Sequence, residues 1–270
     1  MALLLGGSSE AVGQEASWFL PDRESLPSLL AGPRDPVAHA KFVMTFQSPT
    51  RFDPGLEGEV SLGTSLPVFR FAEDDASDAL VIGVGGAVYG HFSLQTLERD
   101  LMSTDWIILV PVVWRREDHW LRVAYHHISS HLGDDYAKRF NVTAIDYGRD
   151  AADATVYLRP HAAIGVYGGV NVAYNVHPDS AGRFTLRLGA EIDPDMPNDR
   201  FTPYGAVDVA LEQDVSWEPR VNVQFGARFP RLGSRRLIRM GMEFQTGPAA
   251  QRQFYDRRST QISLGIWLDL

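Results

Sequence analysis

From Ala38 to Leu270, apolar side chains recur at every second position, segment after segment. Leu80, Ile82, Val84, Gly86 and Val88 form one such set; Ile164, Val166, Gly168, Val170, Val172 and Tyr174 form another. Ile262, Leu264, Ile266 and Leu268 oppose Gln261, Ser263, Gly265 and Asp269 in the last segment. A helix would need a period near 3.6, whereas a period of two puts successive side chains on opposite faces of an extended strand. The chain is therefore all-β.

Twelve segments carry the pattern, at roughly 38–47, 57–71, 78–92, 105–116, 119–131 and 140–159 in the first half. The second half supplies roughly 161–176, 183–192, 201–212, 217–229, 235–246 and 258–270. Turn-forming stretches such as "EDDAS", "HPDSAGR", "DPDMPND" and "PRLGS" separate them. Only Phe92 to Met102, "FSLQTLERDLM", reads as a short helix in a loop. Residues 1–37 lack periodicity and read as a leader followed by a Pro-rich irregular periplasmic tail. "MALLLGGSSEAVGQEASWF" fits either the remnant of a signal peptide cleaved near Ala16 or a disordered leader.

A soluble sandwich would bury its apolar face, whereas a membrane barrel turns that face to lipid and fills its lumen with small or polar residues. The segments exceed the ~5–6 residues usual for globular strands and match the ~9–11 that cross a bilayer obliquely. Their polar faces carry Gly, Ala, Asn, Gln and paired Arg and Glu, and the chain ends in an apolar strand, "SLGIWLDL". We expect a closed antiparallel transmembrane barrel of about 12 strands over residues 38–270, in a bacterial outer membrane. There is no cysteine, which excludes disulfides and thiol chemistry, and the net charge of −9 is interspersed, which gives no footprint for nucleic acid.

Chemistry concentrates in "AYHHISSHLGDDY", Ala124 to Tyr136. Alternation from Leu121, Val123 and Tyr125 puts His127, Ser129 and His131 on the lipid side near the outer rim. Polar groups there are costly unless used, or unless the strand has already reached the headgroups. A serine hydroxyl needs an imidazole to take its proton, and the imidazole needs a third group to hold its tautomer. His126 falls on the opposite face, so a three-histidine zinc site with His127 and His131 does not form. "VIGVGGAVYG" lacks the helix and acidic residue of a dinucleotide loop. Trp106, Trp114, Trp120, Trp217 and Trp267, near strand ends, read as interfacial girdles.

"LPSLLAGPRDP" together with "HISSHLGDDY" resembles a bacterial family known as domain of unknown function 1207, whose members are expected outer-membrane barrels. His-x-Ser, with Asn141 fourteen residues after His127, is similar to the outer membrane phospholipase A family. That resemblance implies a lipid-facing triad of His127 as base, Ser129 as nucleophile and Asn141 as orienter. It also implies calcium, held by Asp134 and perhaps Asp135, a homodimer, and phospholipid or lipopolysaccharide as substrate. The sequence departs where Ser130 and His131 replace the family's Asn-Gly. Alternation extrapolated back from Val156 and Leu158 places Asn141 on the lumen side, so a bulge near "YGRDAAD" must shift it; Asp146 or another residue is the alternative orienter. The competing reading is a non-catalytic barrel: a narrow pore, or a structural or anchoring protein.

Overall fold

The computed structural model describes residues 19–21, 26–72, 78–194, 200–230 and 237–269. The suggested signal-peptide remnant and its cleavage point lie outside them. Twelve strands form a closed antiparallel barrel in which each pairs with its sequence neighbours and the first pairs with the last. They are β1 (Ala38–Gln47), β2 (Leu56–Ala72), β3 (Asp78–Ser93), β4 (Leu101–Arg116), β5 (His119–Leu132) and β6 (Tyr147–His161). The circuit continues with β7 (Ile164–His177), β8 (Phe184–Ile192), β9 (Thr202–Glu212), β10 (Pro219–Pro230), β11 (Leu237–Pro248) and β12 (Arg258–Asp269). Closure satisfies every edge, which a strand must have before it can sit in hydrocarbon.

The distribution of side chains is inverted relative to a soluble protein. Leu62, Phe42 and Leu264 are 74%, 65% and 62% exposed, while Arg239 and Gln224 are each 1% exposed. Apolar groups thus face outward around the circuit and polar groups fill the lumen, the arrangement of a barrel in a membrane. Of the girdle tryptophans, Trp106, Trp114 and Trp217 do face outward. Trp120 and Trp267 are buried in the lumen, because each occupies the inward parity of its strand.

Two loops depart from expectation. Phe92 to Met102 forms no helix; the chain bends between β3 and β4. A helix, α1 (Asp134–Phe140), forms after β5 instead. Asp134 and Asp135 in its first turn and Lys138 and Arg139 in its last complement the helix dipole. Arg139 ion-pairs Asp100, tying α1 to the β3–β4 loop. Strand β6 consequently starts at Tyr147, later than the alternation pattern suggests.

The irregular segment Leu26–Val37 is folded into the lumen. Leu29 packs on Val81, Val113, Trp120, Tyr157 and Tyr167. A side chain at Gly83 would strike Leu26 at 2.4 Å, so the glycine makes room for the segment. Its polar groups are captured one by one. The Leu30 amide donates to Glu191 at 2.6 Å, Asn222 donates to the Ala31 carbonyl at 2.6 Å, and Arg34 reaches Asp105 and Glu59 at 3.0 and 3.2 Å. Asp35 accepts both terminal nitrogens of Arg187, whose Nε binds Asp208. From the other mouth, Arg252 pairs with Glu212 at 2.6 Å, and Gln253 donates to the carbonyls of Ser130 and Ile145. Paired polar groups thus reach into the lumen from both ends of the barrel.

Candidate functional site

The site is built on the outer surface of β5, β6 and β7. On β5, the inward set is Arg122, Ala124, His126, Ile128 and Ser130, and the outward set is Val123, Tyr125, His127, Ser129 and His131. Ser130 is committed to the lumen, where its hydroxyl donates to Asp105 at 2.6 Å. Ser129, on the outer face, stands between Trp106 of β4 and Gly148 of β6 in the register. Beside Gly148 the surface is open: an added Cβ would meet only a His177 ring carbon, at 4.0 Å.

His127 pairs in register with Asp150, and its Nδ1 lies 2.7 Å from Asp150 Oδ1. Tyr125 donates its hydroxyl to that same oxygen at 2.6 Å, and Asn175 donates its amide to Oδ2 at 2.9 Å. With three donors converging, Asp150 is used as an acceptor throughout, the pattern of an ionised carboxylate. His127 Nδ1 is then the N–H donor, which leaves Nε2 as the basic nitrogen. Both side chains are partly open, His127 at 30% and Asp150 at 21% exposure, so the pair is reachable from the membrane side. His127, Ser129 and His131 also border a shallow groove floored by Gly86 and walled by Leu62, Val88, Trp106 and Ile108.

Asn141 is not part of this cluster. It caps the C-terminus of α1 in the left-handed conformation, with φ 49° and ψ 55°, a position Asn tolerates well. The orienting place beside His127 is held by Asp150, which strict alternation back from Val156 and Leu158 puts on the outer face. The bulge lies on the partner strand: Asp150 pairs with Asn175 but Ala151 with Ala173, leaving Tyr174 as the extra residue. It turns Asn175 from the lumen parity to the outer face. Asp134 and Asp135 are exposed on α1, and among the described residues no three His, Cys, Asp or Glu side chains gather as a metal site. These two carboxylates alone would leave most of the six to eight oxygens calcium takes to backbone carbonyls, water or a second copy of the chain.

Residues 11–269 match the family described as "Protein of unknown function (DUF1207)". The chain belongs to the DUF1207 family. Among curated proteins, none matches this DUF1207 chain in sequence. Its fold is similar to outer membrane phospholipase A from Escherichia coli, with a TM-score of 0.59 at 13% identity, covering 88% of this chain and 93% of that one. The Salmonella typhi outer membrane phospholipase dimer with bound calcium gives 0.58 at 11% identity, covering 89% and 94%. At such identities the likeness is one of fold: this DUF1207 protein is an outer-membrane β-barrel.

Proposed function

We propose that this barrel hydrolyses acyl esters of membrane lipids, with Ser129 as nucleophile, His127 as general base and Asp150 as the group that orients His127. The observation that carries the reading is the His127–Asp150 contact at 2.7 Å on a lipid-facing surface, two residues from an outward serine. An ionised carboxylate with an imidazole on it is costly there unless it serves a purpose. The outer membrane phospholipases share the fold and act, by their name, on phospholipids, which supports a lipid substrate.

The tautomer leaves Nε2 free for Ser129, with which His127 makes no hydrogen bond in the resting structure, so the two must close together as the ester binds. His127 Nε2 takes the Ser129 proton as Oγ attacks the ester carbonyl carbon, and the imidazolium is held by Asp150. Collapse of the tetrahedral intermediate returns that proton to the departing lysolipid alcohol. Water, deprotonated by His127, then releases the fatty acid and restores Ser129. The space over Gly148 admits the ester beside Ser129, and the Gly86 groove receives an acyl chain. His131, the next outward side chain, is our candidate donor to the developing oxyanion. Asp134 and Asp135 would supply two of the oxygens a calcium ion needs, and no step is assigned to a cation. A homodimer, with ligands from two copies, is the arrangement in which calcium would enter.

The test is release of fatty acid from phospholipid or lipopolysaccharide in detergent micelles. Ser129→Ala and His127→Ala should abolish it while heat-modifiability on gels is unchanged. A wild-type protein inactive on every such lipid, with calcium supplied, would end the enzyme reading. The alternative, a passive pore, is disfavoured by the Leu26–Val37 segment and the ion pairs that cross the lumen.

A further inference from the structure

Tyr125 and Asn175 belong to no expected motif, yet both spend their polar groups on Asp150 at the membrane face. The sequence gives neither a reason to be there. Tyr125 sits two residues before His127 on the same side of β5, so its hydroxyl and His127 Nδ1 reach Asp150 Oδ1 from one strand. Asn175 reaches Oδ2 from β7, and does so only because the bulge at Tyr174 rotates it outward. A bulge disrupts a ladder locally and persists where it re-aims a side chain.

We infer that Tyr125 and Asn175 are positioning residues that clamp the Asp150 carboxylate so that His127 is held with its proton on Nδ1 and its Nε2 free to accept. The inference rests on the hydrolase reading for its consequence, but the clamp itself is a statement about His127. Without Asn175, Asp150 keeps no partner on Oδ2 and can rotate about its side-chain bond. Without the Tyr125 hydroxyl, the lone pairs of Oδ1 are no longer shared, and the carboxylate loses the contact that fixes it along β5. In either case the neutral imidazole gains access to its other tautomer, which presents N–H where the reaction needs a lone pair. Tyr125 and Asn175 touch no reacting atom in this scheme; they act through Asp150.

Nitrogen-15 NMR of histidine-labelled protein in detergent micelles reads the tautomer directly. In its neutral state, wild-type His127 should show a single Nδ1–H form, identified by loss of its signals in His127→Gln. Tyr125→Phe and Asn175→Leu should each give a mixture of tautomers and lower kcat by about tenfold with KM unchanged, as expected for a lost bond to a charged group. Asn175→Gln, which can still donate, should restore both. Both single variants conserve size on a lipid-facing surface, and heat-modifiability confirms their fold. An unchanged Nδ1–H form in both variants would overturn the clamp, whether or not wild type is active. Mixed tautomers in the variants of an inactive wild type would uphold the clamp and remove the hydrolase reading instead.

Discussion

Replacing Asp150 separates charge from orientation, because its neighbours can adapt to one substitution and not to the other. In Asp150→Asn the amide oxygen can keep facing Tyr125 and His127, which donate to Oδ1 at 2.6 and 2.7 Å. Its NH2 would then face Asn175, which currently donates to Oδ2 at 2.9 Å. Asn175 can turn its own amide and accept. The tautomer of His127 survives, and what disappears is the charge. A bond to a charged group contributes about 1.5–3 kcal/mol and a neutral one about 0.5–1.5, so the loss is about 1–1.5 kcal/mol. That is roughly tenfold in rate. Asp150→Leu removes the acceptor altogether and forfeits the whole bond, up to about 3 kcal/mol, or about 100-fold, before any tautomer change is counted. Fatty-acid release by purified variants in mixed micelles measures both. The reasoning is refuted if Asp150→Leu hydrolyses at the wild-type rate, or if Asn and Leu at this position are equally damaging.

Three further outcomes are expected. Gly148→Leu should fold normally, since only His177 lies near the added carbon, yet lower turnover about 100-fold or more by covering Ser129; undiminished activity would show that the ester approaches from another side. Wild-type protein should be electrically silent in planar bilayers, and Arg34→Ala with Asp35→Ala should raise conductance by detaching the segment from Asp105, Glu59 and Arg187; large steady wild-type currents would contradict the filled lumen. In the loops, the bond from Arg139 holds Asp100 below its usual carboxylate range, so its contribution is fully present above the unfolded value of about 3.9 and is lost as pH falls through the lower folded value. Limited digestion with an acid-active protease should therefore cut near α1 at the lowest pH but not at pH ~5, whereas Arg139→Ala should be cut at both; equal cutting of both proteins at pH ~5 would argue against this tether.

The barrel was legible because its physics is periodic. Alternation gave each strand and its faces, and it placed His127 and Ser129 outward without any structural information. The same rule, run back from Val156 and Leu158, marks Asp150 as outward. The Asn141 assignment rests on the resemblance and on a strand starting at residue 140, and neither registers that "GDDYAKRF" carries acids at its start and bases at its end, the charge pattern of a helix. Once α1 forms, Asn141 is its cap and cannot begin a strand. Asn175 was beyond reach, because a bulge reverses parity and no residue near Tyr174 announces one. The lumen segment was hidden for a related reason. Leu26–Val37 has no period, and its fit depends on partners scattered from Glu59 to Arg239. The calcium expectation rests on the resemblance and on the preference of hard cations for carboxylate oxygens, and Asp134 and Asp135 also complement the dipole at the start of α1.

The central claim is that Ser129 is made nucleophilic by His127, and a reagent that reports nucleophilicity without requiring turnover tests it most directly. Folded protein in micelles should be incubated with a long-chain alkyl fluorophosphonate, and the adduct located by mass spectrometry. The account predicts one adduct, on Ser129, absent from Ser129→Ala and strongly slowed in His127→Ala and Asp150→Leu. No adduct on the wild type, or one that forms as readily without His127, would contradict it.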